Sequence, residues 1–164
     1  MWVIYLEMGV ALALLVLIVW WTWPAKRKPS AVDMNLVERV PLFRTLGKTR
    51  IAAVAGVLRE RRVGSGERLI RKGDQADSMY FIVSGEVEVD PETGAPKGKL
   101  IEGDFFGEIA LIANRTRTAT ITTLTPCKLL LLRKADFESF MGAHPDLKEA
   151  VHAAAKRRLE ELKA

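Results

Sequence analysis

Two short stretches of the chain hold residue types that could bind a charged ligand. The first is Gly103-Asp104-Phe105-Phe106-Gly107-Glu108-Ile109-Ala110-Leu111, and the second is Arg115-Thr116-Arg117-Thr118-Ala119-Thr120-Ile121. The first reads as a short helix entered through glycine. A helix start presents unpaired backbone N–H groups and partial positive charge, which favour an anion. Gly107 lets the backbone approach a ligand with no Cβ in the way. Arg117 follows nine residues after Glu108 and opens a strand. Aimed at the helix start, its guanidinium would complete a phosphate site through bidentate hydrogen bonds. Glu108 would be repelled by a phosphate, so it needs a different partner. A carboxylate accepts hydrogen bonds, and a sugar hydroxyl donates them. Together the three features describe a phosphorylated sugar. A Glu108–Arg117 ion pair that only braces the strands is the competing reading, with about even standing on these residues alone.

The surrounding pattern predicts the elements that must position them. Leu36, Val37, Val40, Leu42, Phe43 and Leu46 give short helical turns interrupted by Pro41. Ile51, Val54, Ala55 and Leu58 predict a helix over 48–58. From Arg59 the period changes. Strands are predicted at 68–71, 79–84, 86–89, 99–101, 118–124 and 128–132, punctuated by Gly64, Gly66, Gly73, Gly85, Gly94, Gly98 and Gly103. Helices return at 135–141 and 146–163, the second opened by Pro145. The expected fold is mainly β with flanking helices. It is an antiparallel, jelly-roll-like β-barrel with an N-terminal helical collar and a C-terminal lid helix, preceded by one transmembrane helix.

That transmembrane helix is read from residues 2–23, which are apolar or aromatic apart from Glu7 and Thr22. Such a run is about 33 Å long as a helix, enough for a ~30 Å hydrocarbon core. Trp20, Trp21 and Trp23 mark one interface, and Trp2 and Tyr5 the other. Pro24 stops the run, and Lys26, Arg27 and Lys28 follow. No base precedes it, so the N-terminus is expected outside and the remainder in the cytoplasm. A cleaved signal peptide fits less well, since the basic n-region is missing and the run is long. The expected organisation is a membrane helix over 1–24, a basic linker over 25–33 and a binding domain over 34–164.

Composition narrows the function. The chain has 164 residues, 25 basic and 20 acidic side chains, two His and one Cys. A hydrophobic fraction of 49% argues against a disordered chain. Cys127 alone makes no internal disulfide and is expected as a small buried hydrophobe. Two His and one Cys leave no expected metal site. No nucleophile–base pair stands out, so no enzyme is expected. The basic excess fits an anionic bilayer or a small anionic ligand as well as nucleic acid. His144 is expected to cap a helix end or face solvent.

The two opening stretches resemble the phosphate-binding cassette of the cyclic-nucleotide-binding domain family. The cassette reads F-G-E-x-A-L, a spacer, then R-x-A-[ST]-[VI]. Here it is Phe106-Gly107-Glu108-Ile109-Ala110-Leu111 and Arg117-Thr118-Ala119-Thr120-Ile121. Gly66 in G-E-x-L-I, Gly73 in K-G-D and Gly85 in Y-F-I-V-S-G-E-V-E-V extend the match over roughly 34–162. The soluble part is similar to the domains of bacterial cyclic-nucleotide-gated potassium channels. The resemblance implies that Arg117 binds the cyclic phosphate and that Glu108 accepts from the ribose 2′-hydroxyl. Phe106, Gly107, Ile109 and Ala110 would shape the cradle, and Ala119 would follow the phosphate contact. Thr118 stands where members that bind cGMP often carry Thr. Val89 would floor the base pocket. Thr116 departs from the pattern, where many members have Pro, which loosens the turn without removing a contact.

In the last helix Leu147, Val151, Ala154, Arg158 and Leu162 fall on one face. The resemblance makes Arg158 the lid residue that stacks on or bonds the purine, with Arg157 as alternate and Lys156 solvated. The implied ligand is cAMP or cGMP, with no cofactor and no nucleic acid partner. The implied function is a membrane-anchored cyclic nucleotide sensor. Its ligand closes the C-terminal helix and signals to a membrane partner, a channel or transporter, or a second copy in a homo-oligomer. The alternatives are the gating portion of a cyclic-nucleotide-regulated channel or transporter, or a structural barrel that binds nothing. A transcription regulator would need a helix-turn-helix after the last helix, and a cupin-type enzyme would need a His/Glu metal cluster.

Overall fold

The computed structural model describes residues 32–44 and 46–161. The predicted membrane helix and most of the linker lie outside the described residues, as does Leu162. Among the described residues no helix is long and apolar enough to cross a membrane.

The chain opens with helix α1 (Met34–Arg39), a 3-10 turn (Pro41–Phe43) and helix α2 (Lys48–Val57). Asp33 caps α1, its side chain accepting from the Asn35 N–H at 2.9 Å. Pro41 breaks the first helix and, with its fixed φ and absent N–H, suits the first position of the turn.

Eight strands follow: β1 (Arg59–Val63), β2 (Arg68–Ile70), β3 (Ser78–Ser84), β4 (Val87–Asp90), β5 (Gly98–Leu100), β6 (Phe105–Phe106), β7 (Thr120–Thr123) and β8 (Cys127–Arg133). Helix α3 (Glu108–Ile112) sits between β6 and β7. Helices α4 (Lys134–Ala143) and α5 (Pro145–Glu161) close the described chain. The strands form two antiparallel four-stranded sheets, ordered β1-β8-β3-β6 and β2-β7-β4-β5. The expected barrel is therefore a sandwich with flanking helices. Each sheet pairs its own strands, and side chains rather than a shared ladder join the two.

Two of these strands are absent from the sequence prediction. β1 carries Arg59, Glu60, Arg61 and Arg62, and only Val63 is buried, so no alternation marks it. β6 is two residues long, held to β3 by the pairs Tyr80–Phe106 and Phe81–Phe105.

β3 is buried on both faces because both are covered. Met79, Phe81 and Val83 face the helices, where they join Phe43, Val54, Leu130, Leu132, Phe140, Leu147 and Val151. Tyr80 and Ile82 face the sandwich interior with Val87, Phe106, Ile121, Cys127 and Leu129. Cys127 is buried, as expected. Gly85 ends β3 at φ 97°, and a Cβ there would lie 2.6 Å from both Cys127 Sγ and Pro126 O.

Two readings of the C-terminal helices need correction. Ala155, not Ala154, joins Leu147 and Val151 as the buried stripe of α5, because the buried face follows the i+4 ridge and drifts round the helix. His144 does follow the last residue of α4, but it is buried against the Phe140 ring, 5.0 Å between centroids, rather than solvated. Its Nδ1 has no hydrogen-bond partner among the described residues. Burial, helped by Arg50, holds its pKa below the usual histidine value, while Asp146 opposes the shift.

Candidate functional site

The site grows from Gly107. Its φ of 86° is left-handed, and a Cβ would lie 2.9 Å from Arg117 Nη1 and 3.2 Å from the Ser78 carbonyl oxygen. Conformation and space both call for glycine there. The turn carries the chain from β6 into α3, whose residues Glu108, Ile109, Ala110 and Leu111 are all buried.

Arg117 is 5% exposed and ties three segments together. Nη1 donates to the Gly107 carbonyl at 2.9 Å. Nη2 donates to the Ser78 carbonyl at 2.7 Å and to Asp77 Oδ1 at 2.9 Å. Its backbone is clasped by the Lys72-Gly73-Asp74 turn: Arg117 N–H donates to Asp74 O, and Gly73 N–H donates to Arg117 O, both at 2.9 Å. Gly73, at φ 88°, thus serves the arginine directly.

Glu108 is paired, but not with Arg117. Its Oε1 accepts from Arg158 Nη1 at 2.6 Å, across from α3 to α5. The same nitrogen donates to Phe105 O at 2.7 Å, and the guanidinium lies 5.0 Å from the centre of the Phe105 ring. Burial pushes the Glu108 carboxyl above the usual carboxylate range, and Arg158 is the chief opposing influence, with Arg117 contributing less. The Glu108–Arg117 ion pair of the competing reading is not formed; there are two separate contacts instead. Arg117 holds the strands, and Glu108 holds the last helix.

These groups converge on a cavity of about 310 Å³. All ten sequence-predicted site residues line it: Val89, Phe106, Gly107, Glu108, Ile109, Ala110, Arg117, Thr118, Ala119 and Arg158. Apolar side chains also line it, among them Val89 on β4, Ile70 on β2 and Ile121 on β7. Buried polar and apolar side chains thus share one lining. That mixture suits a ligand that carries both a phosphorylated sugar and an apolar ring. Arg157 is exposed, 3.9 Å from Glu161.

Several participants are missing from the sequence prediction. Asp77 and the Ser78 carbonyl orient Arg117, and no local motif marks either. The loop after β4 adds Pro91, Ala95 and Pro96 to the cavity wall. Its Pro and Gly content reads as a loop but says nothing of where it folds.

Comparison with known proteins points the same way. The family model described as "Cyclic nucleotide-binding domain" matches residues 60–144. A cyclic nucleotide-gated potassium channel of Rhizobium etli is 36% identical over 133 residues, covering 81% of this chain and 37% of the channel. A channel of the same description from Mesorhizobium japonicum is 37% identical over 126 residues, covering 77% of this chain and 35% of the channel. The chain thus spans about a third of the length of these curated relatives. Among solved structures, the regulatory domain of Toxoplasma gondii PKA, crystallised with cAMP, superposes with a TM-score of 0.64 at 24% identity. That match covers 80% of this chain and 51% of the other, and it supports the fold.

Proposed function

The chain belongs to the cyclic nucleotide-binding domain family, and from that premise we propose that it is a regulatory domain that binds cAMP or cGMP. The observation that carries the reading is the meeting of Arg117 and Glu108, both buried, on either side of Gly107 in one cavity. Arg117 receives the cyclic phosphate. Three carbonyl and carboxylate oxygens already fix its orientation, so little ordering remains to be paid for on binding. Gly107 and Ala110 leave room for the sugar, and Glu108 accepts from the ribose hydroxyl. Thr118 and Ala119 border the phosphate, and Val89 lies under the purine.

Arg158 carries the link to the last helix. Its bond to Glu108 holds α5 over the cavity, and a ribose hydroxyl that reaches Glu108 competes for the same oxygen. Ligand binding then shifts the position of α5 by its differential affinity for the two arrangements. From the apolar run of the sequence we take 1–24 as a single membrane span with the N-terminus outside, 25–33 as a basic linker and 34–164 as the binding domain. The domain works on the cytoplasmic side and relays the motion of α5 to a membrane partner. A second reading, the gating portion of a channel or transporter, is favoured by the relatives, which are described as channels and of which the match covers 37% and 35%. The function involves no catalysis and no cofactor.

Calorimetric titration of the chain with cAMP, cGMP and 5′-AMP tests the reading. Saturable binding of a cyclic nucleotide, with 5′-AMP much weaker, is expected. A folded chain that binds neither cyclic nucleotide would leave the barrel as a structural module.

A further inference from the structure

Arg117 and Thr118 have a second side. They also line another cavity of about 470 Å³, which shares Pro91 as well with the first and adds Lys72, Thr93, Arg115 and Thr116. Three cationic side chains and three hydroxyls line this space, and among the described residues no carboxylate does. Like charges gathered round a cavity repel one another, and an anion that entered would relieve what the Asp77 carboxylate on Arg117 does not.

The charges differ in how they are held. Lys72 Nζ donates to the Pro91 carbonyl at 2.6 Å and reaches the Glu92 carbonyl at 3.5 Å. Carbonyl partners place the ammonium without cancelling its charge. Arg115 is exposed and makes no ion pair among the described residues. Arg117 is fixed from behind by Asp77. Hydroxyls with cationic neighbours suit phosphoryl oxygens, which accept from both. On the apolar side the cavity meets Leu159 of α5, so an occupant would also touch the helix that closes the first cavity.

We propose that this second cavity is a phosphoryl subsite, separate from the cyclic phosphate position and filled at the same time. It rests on the reading above only in taking the first cavity as the nucleotide site. The phosphoryl group has two sources. It is either free phosphate beside a cyclic mononucleotide, or the second phosphodiester of a ligand that spans both cavities, as a cyclic dinucleotide would.

The experiment uses the full chain and two variants, Lys72→Met and Arg115→Gln, both outside the nucleotide cavity. With cAMP saturating, inorganic phosphate is titrated by calorimetry. In a separate arm, without cAMP, a cyclic dinucleotide is titrated. The expected result is binding in one arm, which identifies the source, weakened about tenfold in either variant. Affinity for cAMP in phosphate-free buffer should stay within about twofold of the parent in Arg115→Gln, whose side chain is exposed and supports no other contact in the fold. The proposal is overturned if neither probe binds, if phosphate only competes with cAMP, or if both variants bind the probe as the parent does. Loss of cAMP binding in the parent would sink the nucleotide reading instead, and phosphate titrated alone against the two variants would still decide the subsite.

Discussion

The two faces of the sheet built on β3 and β8 have been put to different uses. Toward the helices, Phe81, Leu130 and Leu132 meet Phe43, Phe140 and Leu147 in a core closed on every side. Phe81 and Phe43 have ring centroids 4.8 Å apart, and Phe140 packs edge-on to Phe43. Toward the other sheet, Tyr80, Ile82, Phe106 and Leu129 form a smaller core, and beside it the space between elements is left open as the cavity proposed for the nucleotide. The first face carries stability and the second carries the site. Among the described residues the buried Arg117 and Glu108 both line this cavity, where Arg117 has three oxygen partners and Glu108 has Arg158. A ligand site can be this polar because a separate apolar core holds the fold.

The largest effect expected is on the closed face. Phe81→Ala should cost about 3–5 kcal/mol, read from urea unfolding. A loss under about 1 kcal/mol would mean that the helix-side core is not the dominant one. Next comes Arg117→Ala, which removes the guanidinium donors from the Gly107 and Ser78 carbonyls and from Asp77. It should cost about 1–3 kcal/mol and abolish cyclic nucleotide binding. A variant with parental stability and affinity would erase the distinction between the faces. Gly107→Ala should be milder in stability, about 1–2 kcal/mol for the left-handed backbone. Because the new Cβ meets Arg117 Nη1, it should weaken ligand binding disproportionately, and equal affinity in the folded variant would contradict that.

The smallest effect belongs to His144 on the closed face. Its folded pKa lies below the usual 6.5, so the unfolded chain takes up the proton first. Its contribution is therefore nil above pH 6.5 and turns unfavourable as pH falls from 6.5 toward the folded pKa. His144→Phe should flatten the decline in unfolding midpoint between about pH 7.5 and 5.5. An unchanged slope would place the acid sensitivity elsewhere.

Legibility in the sequence followed the same division. The run Met79-Tyr80-Phe81-Ile82-Val83 announces a strand covered on both sides, and the cassette residues announce the cavity, because both signals are local. β1 is silent, since four of its five residues are charged and its place comes from pairing with β8, far along the chain. The cavity lining was legible, but its internal wiring was not. Asp77 as the partner of Arg117, and Arg158 as the partner of Glu108, depend on how distant elements dock. Arg158 was readable as an anomaly on an apolar face, while its carboxylate partner lies fifty residues earlier.

The placing of β8 has a consequence for how the chain is made. β8 lies between β1 and β3 and hydrogen-bonds to both, with Arg59 opposite Leu131 and Tyr80 opposite the same residue. A ribosome delivers β1 and β3 long before β8. Until Cys127–Arg133 emerges, β1 has no partner within its sheet and β3 has only the two residues of β6. The nascent chain therefore carries exposed strand edges, one of them strongly apolar, for as long as the segment between β3 and β8 takes to be made. The arginines of β1 are well placed to keep that waiting edge from pairing with another chain.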